Sequence, residues 1–233
     1  MEFIKLSKRL LTIANFVPEG ANVADIGTDH GYIPVWLAQH NLANNIAAAD
    51  INRGPLDHAI ATAHEYDVYE KINFHLCSGL NFSDSNKYNT VIIAGMGGEL
   101  IASIIEEASW TKEGVTLILQ PNSKIQDLIE WLIENGYAIQ NGKLVKDAGK
   151  YYQVLVVTAG DSSPIEVEAN RLVHNQYFKN KDPLLHDYLN HLLIKFGNAR
   201  RGMLSSKSNS PDLQRIDDLI YALQNMKKEV ETW

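Results

Sequence analysis

In residues 1–160, short apolar runs alternate with amphipathic stretches. Apolar runs bounded by turn residues are typical of strands, and apolar side chains three and four positions apart are typical of helices. The predicted strands cover residues 23–26, 46–50, 72–76, 90–94, 115–119, 137–145 and 152–158. The predicted helices cover residues 3–16, 32–40, 98–109 and 123–134, and a further helix begins at Pro55. This order predicts a parallel sheet wrapped by helices, with the last two strands closing it as an antiparallel pair.

Residues 161–233 contain no strand-like run and are predicted to be helical. Apolar residues repeat at helical spacing over 184–196 and 213–226, which indicates an antiparallel hairpin of two amphipathic helices. A weaker helix is predicted over 165–178. The net charge also changes, from −7 before residue 161 (11 basic and 18 acidic residues) to zero after it (10 of each). We therefore expect two domains, 1–160 and 161–233.

The composition is that of a globular chain, since 45% of the 233 residues are hydrophobic and 21% are charged. The formal net charge of −7 excludes a uniformly basic nucleic-acid-binding protein. The single cysteine excludes an intramolecular disulfide, and the histidines lack the spacing of a catalytic metal site, so no metal is expected. No apolar run approaches the ~20 residues that span a bilayer, and the N-terminal segment has no cleavage site. We expect a cytoplasmic monomer that binds no membrane.

A loop containing two glycines, D-I-G-T-D-H-G from Asp25 to Gly31, follows the first predicted strand. Ligands bind outside the carboxyl ends of the strands in open parallel sheets, and glycines let the backbone turn tightly and approach a ligand. A dinucleotide-binding loop would have a third glycine at position 29, where this chain has Asp29. The carboxylate would repel a pyrophosphate. The loop therefore disfavours NAD and favours a cationic ligand such as S-adenosylmethionine, which carries a sulfonium and an ammonium group.

The other predicted strand ends offer further contacts to an adenosine-containing ligand. Asp50 ends the second strand, where an acid can accept hydrogen bonds from both ribose hydroxyls. Residues 77–80 follow the third strand at the usual place of an adenine ring. Residues 95–98 follow the fourth strand, and their three glycines leave a bare backbone beside which a flat group could lie close to a reactive methyl. Gln120 and Asn122 follow the fifth strand and offer amides to a base edge.

Five segments carry a family resemblance; they are ADIGTDHGYIP, NRGP, VIIAGMGGELI, LILQPN and YYQVLVV. In this order they resemble the bacterial tRNA adenine-N1 methyltransferases that act at tRNA position 22, closely over about residues 4–160. The resemblance implies an α/β, class I S-adenosylmethionine-dependent methyltransferase fold, which is Rossmann-like with a seven-stranded sheet and a C-terminal helical, coiled-coil-like domain. It also implies S-adenosyl-L-methionine as cofactor and methyl transfer to N1 of an adenine in the D-arm region of tRNA.

The resemblance also implies which residues surround the cofactor. Carried over by position, these are Asp25, Gly27, Asp29, Asp50, Gly79, Leu80, Gly95 and Met96. Their neighbours Thr28, Gly31, Ile51 and Ser78 complete the predicted cofactor site. Ser78 departs from the family pattern, which usually has an acid there to hold the adenine amino group, although a serine can still accept a hydrogen bond.

The chemistry of adenine N1 determines what the protein must supply. The neutral N1 lone pair can attack the sulfonium methyl in line without a base, and the product is cationic, so alignment and negative potential near the ring favour the reaction. Asp29 is predicted to supply that potential, or only to cap the next helix. Gln120 and Asn122 complete the predicted catalytic set by orienting the base. His30 and Tyr32 are expected to stack on a flipped base or clamp it.

Two basic clusters are predicted to contact tRNA phosphates despite the acidic net charge. One comprises Lys5, Lys8 and Arg9, and the other comprises Lys195, Arg200, Arg201 and Lys207. The second cluster could instead be an ordinary solvated helix end.

Two other functions remain open from the sequence. The chain could be a class I methyltransferase with a different substrate, or a non-catalytic protein that binds S-adenosylmethionine and RNA. A nicotinamide-dependent oxidoreductase is disfavoured by Asp29 in place of the third loop glycine.

Overall fold

The computed structural model describes residues 2–205 and 211–233. The chain falls into two compact units, of which the first ends at Pro164 and the second begins at Ile165. Within the described residues, no helix has both the length and the apolar character needed to cross a membrane.

The first unit contains a seven-stranded sheet with the strand order β3-β2-β1-β4-β5-β7-β6. The strands are β1 (Ala21–Ile26), β2 (Ala43–Asp50), β3 (Ile72–Leu76), β4 (Thr90–Gly97), β5 (Thr116–Ser123), β6 (Tyr137–Asp147) and β7 (Lys150–Ala159). The first five strands pair in parallel, and β7 runs antiparallel to both β5 and β6. This arrangement confirms the predicted fold class. The strand order reverses between β1 and β4, and such a reversal opens a crevice at the carboxyl ends of the strands.

Helices alternate with the strands of the first unit. They are α1 (Lys8–Ala14), α2 (Tyr32–His40), α3 (Arg53–Glu65), α4 (Gly98–Glu106) and α5 (Ile125–Glu134), with short 3₁₀ turns at Tyr69–Lys71, Ser85–Lys87 and Ser109–Lys112. Val91, Ile92 and Ile93 on β4 are all fully buried. Because successive strand residues point to opposite faces, this consecutive burial shows that both faces of the sheet are covered.

At their carboxyl ends, β4 and β5 run three and four residues further than the apolar pattern predicts. β4 continues to Gly97 and β5 to Ser123, where Met96 pairs with Pro121 and Gly97 with Ser123 beyond shifts in the register. A prediction based on apolar runs misses these residues, because glycines and amide side chains interrupt the apolar pattern. The ends of β4 and β5 are therefore a bulged ladder, a feature that often re-aims side chains beside active sites.

The first helix is shorter than predicted. It begins at Lys8, because Ser7 acts as its N-cap and accepts a hydrogen bond from the Leu10 backbone N–H at 3.4 Å. The residues before Ser7 are not helical, and the Ile4 backbone N–H donates to Gln39 Oε1 at 2.9 Å. The apolar residues at the N-terminus thus anchor a non-helical segment rather than a helical turn.

The second unit is helical. The helix predicted over 165–178 is instead two short helices, α6 (Glu168–Leu172) and α7 (Gln176–Lys179), because the chain leaves helical geometry at Val173 (φ −129°, ψ 88°). The predicted hairpin is present as α8 (Leu185–Ser205) and α9 (Pro211–Val230). Its apolar stripes are buried at Leu189 and Leu223, as helical periodicity requires.

Candidate active site

A cavity of about 650 Å³ opens at the carboxyl ends of the parallel strands. This volume is typical of a small-molecule site, and its position is the one at which open α/β sheets bind ligands. Fourteen of its lining residues were predicted from the sequence: Arg9, Asp25, Gly27, Thr28, Asp29, His30, Tyr32, Asp50, Ile51, Ser78, Gly79, Gly95, Met96 and Asn122. The lining residues that the sequence reasoning did not select are Leu10, Ile26, Ile33, Asn52, Cys77, Ala94, Leu100 and Ile104.

Two glycines allow the loop after β1 to enclose one side of the cavity. Gly27 has φ +71°, and a Cβ there would collide with the Met96 side chain. Gly31 has φ +68°, and a Cβ there would lie 2.8 Å from Ala59 Cβ on α3. The left-handed backbone favours glycine at both positions, and at Gly31 the contact with Ala59 also leaves no room for a side chain. Gly31 is thus a structural residue of the loop and lies outside the cavity lining, although the sequence placed it with the cofactor contacts.

A pair of buried carboxyl groups lies at the floor of the cavity. Asp25 is the penultimate residue of β1 and accepts a hydrogen bond from Thr28 Oγ1 at 2.8 Å, while Asp50 ends β2. Burial raises the pKa of the Asp25 carboxyl group to about 6; the hydrogen bond from Thr28 opposes this shift, and the negative charge of Asp50 adds to it. Two acids held in a low-dielectric site favour a ligand that carries positive charge.

Asp50 is oriented by the backbone of two loops. Its Oδ1 accepts from the Asn52 N–H at 2.8 Å, and its Oδ2 accepts from the Asp29 N–H at 3.4 Å. Each carboxylate oxygen has a further lone pair, so the side chain can still accept hydrogen bonds from two ligand hydroxyls. This is the capacity that a ribose diol needs.

Asp29, His30 and Tyr32 form an exposed rim of the cavity, and His58 stacks against His30. The Asp29 side chain is 64% exposed and lies 3.8 Å from His30 Nε2. The His30 ring stacks on Tyr32 on one side (5.2 Å between centroids) and on His58 on the other (5.1 Å). Asp29 has φ +48°, a conformation that aspartate tolerates better than most residues. His58 lies on α3, and no local sequence pattern connects it with the loop after β1.

Asp29, His30 and His58 also place potential metal-ligand atoms within 4.8 Å of one another, and all three residues are exposed. The two histidines come from different elements, so the spacing rules applied to the sequence could not bring them together. The absence of a metal site stays a prediction.

A chain of hydrogen bonds crosses the opposite wall of the cavity. Arg9 Nη1 donates to Gln120 Oε1 at 2.6 Å, and Gln120 Nε2 donates to Asn122 Oδ1 at 3.0 Å. Asn122 Nδ2 then donates to the Gly95 carbonyl oxygen at 2.8 Å. Gln120 is fully buried behind the lining, whereas Asn122 is exposed to the cavity. The half-buried Arg9 side chain lines the cavity, and its guanidinium lies over the Tyr152 ring at 5.4 Å.

The remaining predicted site residues lie elsewhere. Leu80 is buried outside the lining, and Lys5 and Lys8 are exposed near the start of α1. Lys195, Arg200 and Arg201 lie on α8, in the second unit, and Lys207 lies outside the described residues. Arg200 forms an ion pair with Asp217 of α9, and Arg201 donates to Asn198.

Three comparisons with known proteins agree with this geometry. Residues 6–155 match a family model described as a methyltransferase domain. The chain is 38% identical over 162 residues to the tRNA (adenine(22)-N(1))-methyltransferase of Bacillus subtilis strain 168, covering 69% of this chain and 68% of that protein. A proposed tRNA (m1A22) methyltransferase of Streptococcus pneumoniae, solved with S-adenosyl-L-methionine, has a TM-score of 0.84 and 31% identity over 96% of this chain and 100% of that one. The solved B. subtilis m1A22 tRNA methyltransferase has a TM-score of 0.78 and 29% identity over 98% of each chain.

Proposed function

Because the chain belongs to the family of tRNA (adenine(22)-N(1))-methyltransferases, we propose that it transfers a methyl group from S-adenosylmethionine to N1 of adenine 22 in the D-arm region of tRNA. The observation that carries this proposal is the cavity at the strand ends, whose floor holds two buried acids. That floor suits a cationic adenosine-containing cofactor and opposes a pyrophosphate.

The residues of the cavity fit the cofactor. Asp50 has lone pairs available for a ribose diol, and Asp25 offers a carboxylate to the positive charge of the sulfonium or ammonium group. Ser78 and Gly79 lie beside the predicted adenine position. Burial, together with the charge of Asp50, raises the pKa of the Cys77 thiol, so this neighbour stays neutral at physiological pH.

When bound, the cofactor would supply a methyl group on a positively charged sulfur; the neutral N1 lone pair would attack this methyl group in line, and the electron pair of the broken C–S bond would stay on the sulfur. The chain needs no general base for this step, because N1 of neutral adenine carries no proton. Its contribution is to align the base and to stabilise the positive charge that moves onto the ring. Asp29 lies on the rim with an exposed carboxylate, and Asn122 presents an amide from the opposite wall. The stacked rings of His30 and Tyr32 offer a surface for a flipped base.

Exposed basic side chains supply contacts to the tRNA backbone in this proposal. Lys5 and Lys8 are exposed in the first unit, and Lys195 and Arg201 are exposed in the second. Arg200 is already paired with Asp217, which lowers its capacity for a phosphate. Arg9 is engaged by Gln120 and Tyr152 at the cavity wall.

The proposed function is tested with labelled S-adenosylmethionine and an unmodified tRNA transcript that has adenine at position 22. Nucleoside analysis should show N1-methyladenosine, and a transcript with guanine at position 22 should remain unlabelled. Labelling of the guanine-22 transcript would indicate a different substrate. Tight cofactor binding without turnover on any tRNA would instead indicate a non-catalytic binding protein.

The proposed role of Asp29 is tested by Asp29→Asn and Asp29→Ala. Removing the carboxylate removes negative potential near the developing cation, so methyl transfer should fall about tenfold or more, with cofactor affinity little changed. Asp84 is a matched control because it is also an exposed aspartate with a left-handed backbone (φ +63°), and Asp84→Asn and Asp84→Ala should leave the rate unchanged. A rate within about threefold of wild type for both Asp29 variants would overturn the role.

A further inference from the structure

The hydrogen-bond chain from Arg9 to Gly95 has a fixed direction. A guanidinium can only donate, and a backbone carbonyl oxygen can only accept. Arg9 occupies one end of the chain and the Gly95 carbonyl the other, so a single orientation of the two intervening amides satisfies all three bonds. The Gln120 oxygen must face Arg9, and the Asn122 oxygen must face Gln120.

This order determines what Asn122 presents to the cavity. A primary amide has two lone pairs on oxygen and two hydrogens on nitrogen. The chain uses one lone pair of Asn122 Oδ1 and one hydrogen of Nδ2. One acceptor and one donor are left at fixed ends of an amide that lines the cavity.

Adenine and guanine differ in the donors and acceptors that they carry at position 6 and N7. Adenine carries a 6-amino donor beside the N7 acceptor, whereas guanine carries acceptors at both O6 and N7. An asparagine with one free acceptor and one free donor is the side chain that pairs with adenine in this manner. An asparagine free to rotate its amide would lose this preference.

Contacts with Tyr152, Asp147 and Gln120 hold Arg9 at one end of the amide chain. Its guanidinium lies over the Tyr152 ring, and its backbone N–H donates to Asp147 Oδ2 at 3.1 Å. The bond to fully buried Gln120 satisfies an amide oxygen that has no access to water. These contacts direct the guanidinium toward the amide chain.

We infer that Arg9 is a positioning residue for substrate selection: through Gln120 it holds the Asn122 amide in the one orientation that accepts from the adenine 6-amino group and donates to N7, which leaves the N1 lone pair free. This inference rests on the proposed function, since it assumes that the target base lies against Asn122. In this inference Arg9 acts on the base through the two amides.

The decisive variant is Gln120→Glu. A glutamate keeps the side-chain size and the partner of Arg9 but cannot donate to Asn122, so the Asn122 amide must either reverse or face a repelling oxygen. We expect kcat for the adenine-22 transcript to fall about tenfold or more, with KM for tRNA and affinity for S-adenosylhomocysteine within about twofold of wild type. Gln140→Glu adds the same charge at an exposed site on β6 and should retain wild-type kinetics.

A second variant, Arg9→Met, removes the donor that anchors the chain and keeps an apolar stem beside Tyr152. It should lower kcat in the same manner, and Arg9→Lys should recover part of the loss because lysine also only donates. Lys112→Met is the control, since Lys112 lies 5.5 Å over the Tyr137 ring outside the cavity lining. Thermal unfolding of each variant distinguishes a variant that no longer folds from one that folds but has lost the fixed orientation of the two amides.

The outcomes separate this inference from the proposed function. If the wild-type protein methylates no adenine-22 tRNA, the proposed function fails. If the wild-type protein is active and Gln120→Glu has a kcat within about twofold of it, the amide order is irrelevant to catalysis and only the inference fails.

Discussion

Within the cavity, the fold alters the protonation of Asp25. Burial raises the pKa of its carboxyl group from 3.8 to about 6, so between about pH 4 and pH 6 the folded protein binds a proton that the unfolded chain has released. Ionisation therefore costs folded-state stability as pH rises through this window. A cation bound nearby favours the ionised form and recovers part of that cost.

We predict from this that affinity for S-adenosylmethionine rises severalfold, about three- to tenfold, between pH 5 and pH 7. S-adenosylhomocysteine lacks the sulfonium charge and should show a smaller rise. The measurement is calorimetric titration of both ligands across the range. Asp25→Asn should flatten the dependence for S-adenosylmethionine, whereas Asp84→Asn, at an exposed position, should preserve it. Equal pH profiles for the two ligands would show that no carboxylate faces the sulfonium group.

Single residues at the site differ in how far the sequence could predict them. Asp25, Gly27 and Asp50 follow directly from strand ends, because the carboxyl ends of parallel strands meet at one edge of a sheet. The positions of His58 and Arg9 depend on contacts between elements distant in sequence. The local sequence does not indicate that Gln120 is buried either, because its burial depends on the continuation of β5 beyond the apolar run.

At the scale of elements, the packing of α2 on α3 positions the loop after β1. Gly31 is the N-cap of α2, and its missing side chain lets the loop approach Ala59 of α3. We predict that Gly31→Ala lowers the free energy of unfolding by about 2–3 kcal/mol, because it adds both left-handed backbone strain and overpacking. The measurement is urea denaturation followed by circular dichroism.

Gly54 on α3 provides the control for that prediction. In the described structure a Cβ at Gly54 meets open space within 4 Å, and Gly54 lies within a helix. Gly54→Ala should therefore be neutral or add up to ~1 kcal/mol of stability. If both variants changed stability equally, a general effect of alanine would explain the result and the contact with Ala59 would not.

The elements show where periodicity is informative and where it fails. Strands and helices with continuous apolar or amphipathic patterns were predicted within a few residues, as with α2 and β3. The ends of β4 and β5 were missed because pairing, and not composition, extends them. The first helix was predicted too long because a capping serine overrides the apolar spacing before it.

At the scale of the whole molecule, the acidic net charge means that tRNA binding depends on local basic surfaces. The whole acid excess lies in residues 1–160, which suits a cationic cofactor but opposes a polyanion. Residues 161–233, which include the helical hairpin, have equal numbers of acids and bases, and exposed cations lie on both helices of the hairpin, among them Lys195 and Arg201 on α8. The pairing of Arg200 with Asp217 was not predictable from the sequence, since it joins two helices.

That pairing decides which substitution tests the phosphate contacts. Arg200→Glu would place a carboxylate opposite Asp217 and disturb the hairpin itself, so a loss of tRNA binding would have two explanations. Arg201 is exposed and its bond to Asn198 lies within α8. We predict that Arg201→Glu weakens tRNA binding and lowers the dependence of log affinity on log salt by about 0.7–0.9, with thermal stability unchanged. Lys87→Glu reverses an exposed charge at the amino end of β4, away from the cavity, and should leave the salt dependence unchanged. Identical salt dependence for wild type and Arg201→Glu would exclude the end of α8 around Arg201 from the tRNA interface, because a residue that neutralises a phosphate must release a counterion when it binds.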